Sequence, residues 1–167
     1  MEGDETLDYA LVQRRLRSRF RRRIDYQATD PETTREVVRR ITIAAYLFNL
    51  VAISDFGGRT GREREASLID LAIGAAFQTF GGTEPHPTPF DKASVLLRGV
   101  TQGHPFVDGN KRTEFVTAAY YLEQAGYPAP AIFPVEEVVT FCEDVSAGEI
   151  RDLEIIAGRL RCFWNSD

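Results

Sequence analysis

Two apolar segments, Val95 to Val100 and Phe115 to Leu122, close on ten residues that neither can absorb: His104-Pro105-Phe106-Val107-Asp108-Gly109-Asn110-Lys111-Arg112-Thr113. Both segments carry the helical repeat. Ala93, Leu96, Leu97 and Val100 share one side of the first, and Phe115, Ala118, Ala119 and Leu122 share one side of the second. Two helices with apolar faces must pack, and the polar run between them then becomes a surface loop held at both ends. The spacing predicts a helix over 90–102, a sharp exit at Gly103, and a second helix over 110–125 stopped by Gly126.

The same repeat runs through the rest of the chain. Val37 to Ser54 reads as a core helix, with Ile41, Ala44, Ala45, Phe48 and Val51 on compatible faces. Asp30-Pro31-Glu32 is a helix start with proline in the first turn. Ser67 to Phe80 reads as a helix with Leu68, Leu71, Ala72, Ala75, Ala76 and Phe80 inward. Pro134 to Val145 is amphipathic through Val135, Val138, Val139 and Val145, and Glu149 to Trp164 through Leu153, Ile156, Leu160 and Phe163. Strand signals are weak everywhere. Gly81 to Pro89, with three prolines and two glycines, excludes regular helix, and Tyr127 to Pro134, with three prolines, reads as a surface connection. The expectation is a compact all-α domain. A break near Asp30-Pro31 suggests an N-terminal helical arm, residues 1–40, ahead of a body over 41–167.

Composition narrows the class. At 167 residues the chain can bury one core. No apolar run approaches the roughly 20 residues that span a bilayer, and the acidic start Met1-Glu2-Gly3-Asp4-Glu5 is unlike a secretory signal. Cys142 and Cys162 lack metal or redox spacing and read as reduced, semi-buried thiols of a cytoplasmic protein. A net charge of -5 argues against a general nucleic-acid binder. Yet seven arginines and no acid lie between Arg14 and Arg23. They are either the solvated face of a packed helix or a surface for an acidic partner, either a protein segment or nucleic acid.

The residue types of the polar run divide the chemistry among them. His104 can accept a proton near neutral pH. Asp108 is a hard oxygen ligand suited to Mg2+ held against phosphates. Gly109 permits the turn, and Phe106 is the apolar anchor of the loop. Asn110, Lys111 and Arg112 then open the next helix, whose first amides are unpaired and point outward. Cations are misplaced at this positive end of a helix unless an anion sits between them. A base, a metal ligand and an anion cradle imply transfer of a phosphorus group to a hydroxyl. His86, between prolines, reads as a loop residue.

In its ordered residues, His-Pro-Phe-Val-Asp-Gly-Asn-Lys-Arg, the run resembles the signature of the Fic/Doc (Fido) family. Lys111 and Thr113 make it similar to the Doc, or death-on-curing, branch. Gly57-Gly58-Arg59-Thr60-Gly61, Ser67-Leu68-Ile69-Asp70 and Ala147-Gly148-Glu149-Ile150 fall where Doc-like chains carry similar segments. The resemblance implies a Fido-type helical domain with a short β-hairpin flap over Gly81 to Pro89, against the plainer reading of that stretch as a connection. It places a target-facing or lid-supporting loop near Arg59 to Arg64. It assigns His104 as catalytic base, Asp108 as the Mg2+ ligand, and Gly109, Asn110, Lys111 and Arg112 as the phosphate cradle for ATP or another nucleoside triphosphate. The hydroxyl belongs to a Ser, Thr or Tyr of a target protein, a translation factor among Doc-type relatives. Fic members transfer AMP and commonly have Gly where Lys111 stands; Doc members share the Lys and transfer the γ-phosphate. Pro105 and Gly109 match the wider Fic pattern. Self-inhibiting members carry a Ser/Thr-x-x-x-Glu-Gly/Asn helix that this sequence lacks, which implies a separate antitoxin as the restraint. The competing class is a non-enzymatic binding module using the Arg14–Arg23 segment.

Overall fold

The computed structural model describes residues 9–56, 66–103 and 110–165, with side chains over 11–51, 68–100 and 112–165. The described residues form seven α-helices: α1 (Tyr9–Arg19), α2 (Pro31–Phe56), α3 (Ala66–Gly74), α4 (Pro89–Gly103), α5 (Asn110–Gln124), α6 (Val135–Ala147) and α7 (Leu153–Asn165). A 3-10 turn over Ala75–Phe77 prolongs α3. This is the all-α architecture that the periodicity predicts. None of these helices is long and apolar enough to cross a membrane.

Short-range chemistry sets the helix ends. Asp30 Oδ1 accepts the Thr33 amide at 2.8 Å, capping α2 one residue before Pro31, and that bond holds the Asp30 carboxyl below its ordinary range. At α4, the Thr88 amide donates to Asp91 Oδ2 and the Asp91 amide to Thr88 Oγ1, each at 3.1 Å, a reciprocal capping box around Pro89. Asp152 Oδ1 accepts the Glu154 amide at 2.8 Å at the start of α7.

α5 sits at the centre. Ala118, Ala119, Tyr120, Tyr121 and Leu122 are all buried, so neighbours cover it on every side. α2 and α4 pack on it directly, while α3 and α7 pack on α4. Phe90, at the start of α4, meets Tyr127, just past α5, edge to face at 5.1 Å. The two helices are therefore antiparallel, and the end of α4 and the start of α5 share the opposite pole. α2 also runs antiparallel to α5: Arg40 borders a cleft with Glu123, while Asn49 bonds Thr113. Gly99 of α4 lies against Ala72 of α3, and Phe77, just past α3, meets Tyr121 in the C-terminal half of α5, so α3 begins at the pole where α2 and α4 end.

Residue 40 falls in the middle of α2, so the arm and body expected from the sequence share one helix. α1 joins them more closely still. Val12 and Leu16 are buried with Ala44, Phe48 and Tyr120, and burial of two such side chains contributes about 1.5–3 kcal/mol each.

Three expectations need correction. Helix α3 ends at Gly74 rather than Phe80, and its buried side is Ile69, Ile73, Ala76 and Phe77; Leu71 and Phe80 are each 65% exposed. Val135 and Val139 also face solvent, and Val138, Phe141, Cys142 and Val145 fill the core side of α6. In both helices the apolar stripe is wider than the buried face, so the repeat alone did not choose the side. Cys142 is buried, Cys162 is exposed, and no disulfide joins them.

The hairpin expected at Gly81–Pro89 exists in its smallest form. Phe80 and Thr83 exchange both backbone bonds, at 2.9 and 3.0 Å, around Gly81 and Gly82. Both glycines have positive φ, 57° and 82°, as a two-residue hairpin turn requires. It stands before the N-terminus of α4, whose 15 residues span about 22 Å. The stretch thus serves as a connection at the pole away from the end of α4 and the start of α5. Buried Lys92 holds it, donating to the His86 carbonyl and to Glu84 Oε1 at 3.3 Å.

Glu36 ties the 20–24 segment to α2. Its carboxylate accepts from Arg39 Nε and Arg40 Nε, both at 2.8 Å. Those bonds, from Arg39 first and then Arg40, hold its carboxyl at about 2. Arg40 is buried, donates to the Arg22 carbonyl at 2.8 Å and lies 4.9 Å from the Phe20 ring centre. The folded value is below the ordinary 4.5. The contribution of this carboxylate is therefore complete above pH 4.5 and lost as pH falls through about 2. Glu36→Gln should lower the unfolding free energy by about 1 kcal/mol at neutral pH. In urea titrations repeated at successively lower pH, the gap to wild type should close below the ordinary carboxylate range.

Candidate active site

Helix α4 delivers the chain to the polar run and α5 carries it away. Gly103 is the last residue of α4 and Asn110 the first of α5. His104, Phe106, Asp108 and Gly109 lie outside the described residues, as do the side chains of Asn110 and Lys111. Of the expected site side chains, Arg112 is the one described, and it is exposed.

What is described is the ground on which the run stands. Asn110, Lys111 and Arg112 form the first turn of a 15-residue helix, and no acid occupies that turn. The unpaired amides and the helix dipole give this end of α5 positive potential, and the exposed Arg112 adds to it. An anion against this end would meet those amides.

The turn is fixed from beneath. Thr113 and Asn49 are buried, and Asn49 Nδ2 donates to Thr113 Oγ1 at 3.3 Å. Thr117 Oγ1 donates to the Thr113 carbonyl at 2.6 Å. Thr113, which in the sequence only marks a likeness, thus joins the start of α5 to α2. Asn49 does not emerge from the sequence as a site-supporting residue. The signal available was a carboxamide set in the apolar run 43–53. Glu114, fully buried on the next step of α5, was missed as well. A carboxylate at that depth persists only when its charge is compensated or when it is protonated.

The Ala147–Gly148 segment has a structural role. Gly148 caps α6 with φ 78°, and Arg151 Nε donates to its carbonyl at 2.8 Å. The Arg151 carbonyl accepts from Arg98 at 3.1 Å, tying the α6–α7 connection to α4. A Cβ at Gly148 would come within 2.9 Å of the Arg151 guanidinium. His86 belongs to the opposite pole. Burial, and after it the nearby Lys92 cation, pushes its imidazole below the ordinary range. Among the described residues, no three His, Cys, Asp or Glu side chains converge to hold a metal.

Residues 42–122 match the model of the Fic/DOC family. The chain is also 33% identical over 108 residues to a curated protein named Toxin Doc from Mycolicibacterium smegmatis, an alignment covering 65% of this chain and 82% of that relative. The chain belongs to the Fic/DOC family, on its Doc side. No solved structure gives a significant match. In this Fic/DOC chain the family span runs from within α2 to within α5. It therefore includes both partners of the Asn49–Thr113 bond.

That bond can be measured. Thr113→Val removes the acceptor while keeping the shape, and should cost about 1–3 kcal/mol because a buried donor loses its partner atom. A double-mutant cycle with Asn49→Ala, read by urea unfolding, should return a coupling of about 1 kcal/mol.

Proposed function

We propose that this Fic/DOC chain transfers the γ-phosphate of ATP to a Ser, Thr or Tyr hydroxyl of a target protein, as the cytoplasmic toxin of a toxin–antitoxin pair. The observation that carries the reading is the first turn of α5: Asn110, Lys111 and Arg112 open a centrally buried helix, and that turn contains no acidic residue. That turn suits polyphosphate. The relative named Toxin Doc supports the toxin role and a separate antitoxin as its partner.

In this mechanism His104 takes the proton of the target hydroxyl. The hydroxyl oxygen bonds to the γ-phosphorus as the bond from that phosphorus to the bridging oxygen breaks, and ADP leaves with the electron pair. The amides of Gly109 to Arg112 and the side chains of Asn110, Lys111 and Arg112 hold the phosphate oxygens and stabilise the charge that builds on them. Phe106 keeps the loop seated in the core. Asp108 is the residue that would hold Mg2+, which when bound neutralises phosphate charge. A single protein carboxylate suits this ion, which completes its shell with phosphate oxygens and water. Lys111 adds a point charge where AMP-transferring relatives commonly have Gly, and this favours the γ-transfer orientation. Pro105 and Gly109 keep AMP transfer as the second reading, with attack on the α-phosphorus and pyrophosphate as the leaving group.

Incubation of the protein and a cell extract with ATP labelled separately at the α and γ positions separates the two. Label on protein from the γ position alone is expected. Label retained from the α position alone would reject phosphoryl transfer in favour of AMP transfer. His104→Ala should lower transfer by about 10²–10⁴-fold and relieve growth inhibition on expression. Unchanged toxicity of that variant would overturn the enzymatic reading.

A further inference from the structure

All seven arginines between Arg14 and Arg23 are exposed. Among the described residues, none of the seven side chains forms an ion pair. Those on α1 continue into the non-helical segment 20–23, so the charge runs as a strip rather than a spot. α2 widens it. Exposed Arg35 and Arg39 border a cleft of about 500 Å³ together with Arg22. Arg17, Arg22 and Arg23 border a second cleft of about 320 Å³ walled by Tyr26 and Tyr120. The acids at these clefts are Glu32, Glu36 and Glu123. Glu36 is taken by Arg39 and Arg40, and Glu123 accepts from Gln13 at 2.9 Å.

A solvated helix face normally mixes both signs, because like charges this close repel. A strip of one sign on a chain of net charge -5 marks a place for a polyanion. The strip also discriminates between kinds of polyanion. An ordered protein partner needs exposed apolar or aromatic anchors at the centre of its interface. Among the described residues the exposed large apolar side chains are Leu50, Leu71, Phe80, Tyr127, Ile132, Val135, Val139 and Ile155, and none belongs to the strip. Nucleic-acid interfaces are polar and strongly positive and need no such anchor. Arginine forks match phosphate oxygens two at a time. We propose that the α1 strip binds the phosphate backbone of nucleic acid without reading its sequence. Glu123, beside the cleft, lies about 16 Å along α5 from Arg112. Nucleic acid on the strip therefore leaves the start of α5 open, and the proposal stands or falls apart from the transfer reaction.

Fluorescence anisotropy of the full chain with labelled single-stranded RNA, single-stranded DNA and duplex DNA, each of about 20 nucleotides, tests this. Binding to strands of unrelated sequence with equal affinity is expected. For about five phosphate contacts on a single strand, affinity should fall about 100-fold between about 50 and 200 mM KCl. The variant carrying Arg14→Gln, Arg17→Gln and Arg21→Gln alters only exposed side chains. Its log–log salt slope should be shallower by about 2, with transfer activity unchanged. Arg159→Gln, an exposed cation on α7, is the control and should leave binding unaltered. No binding at about 100 μM protein in low salt, or equal binding by the triple variant, overturns the proposal. So does capture of polyglutamate as tight as that of the oligonucleotides, which would make the partner an acidic polypeptide.

Discussion

Residues 118–122 of α5 are buried in unbroken succession, which a helix tolerates only when neighbours cover its whole circumference. That requirement organises the molecule. α2 and α4 lie antiparallel to α5 on either side, Phe48 meets Tyr120 edge to face at 5.9 Å, and Phe77 meets Tyr121 at 5.4 Å. Tyr121 brings a hydroxyl into this interior with no hydrogen-bond partner among the described residues, and burial pushes its ionisation far above the ordinary range. So deep a helix cannot shift along its axis without disturbing every neighbour.

The two poles then acquire different characters. At one, α2 and α4 end and α3 and α5 begin, and the first turn of α5 presents Asn110, Lys111 and Arg112 with Thr113 tied to Asn49 below. At the other, the Phe80–Thr83 turn, the Lys92 anchor and the aromatic contact of Phe90 with Tyr127 close the bundle. The α1 strip flanks the C-terminal half of α5, where Gln13 reaches Glu123. Positive charge is thus gathered in two separate places on an acidic chain. Under the proposals above, the first place would take a nucleotide phosphate and the second a longer polyanion. The two need not be filled by the same molecule.

How legible this was depended on the kind of signal. Helix ends were written locally: Asp30 before Pro31, Thr88 around Pro89 and Gly148 after α6 each act on neighbours a few residues away. The ten-residue run was legible because its residue types have no shared structural purpose. Asn49 was hidden because one amide in an apolar segment has many dull explanations, and its partner lies 64 residues away. The inward faces of α3 and α6 were misread for a related reason. With Leu71 and Ile73, or Val138 and Val139, so close in sequence, hydrophobicity alone cannot say which one the neighbouring helix covers.

By itself the sequence determined that this chain is helical, where most helices begin and end, and which family it belongs to. These are matters of propensity, capping and residue order, which act over one or two turns. Only the tertiary structure decided that residue 40 lies inside one continuous helix, that the Gly81–Pro89 turn stands at the pole opposite the start of α5, and that Thr113 leans on Asn49. Each of those depends on which helix packs against which, a choice made by burial summed over the whole core.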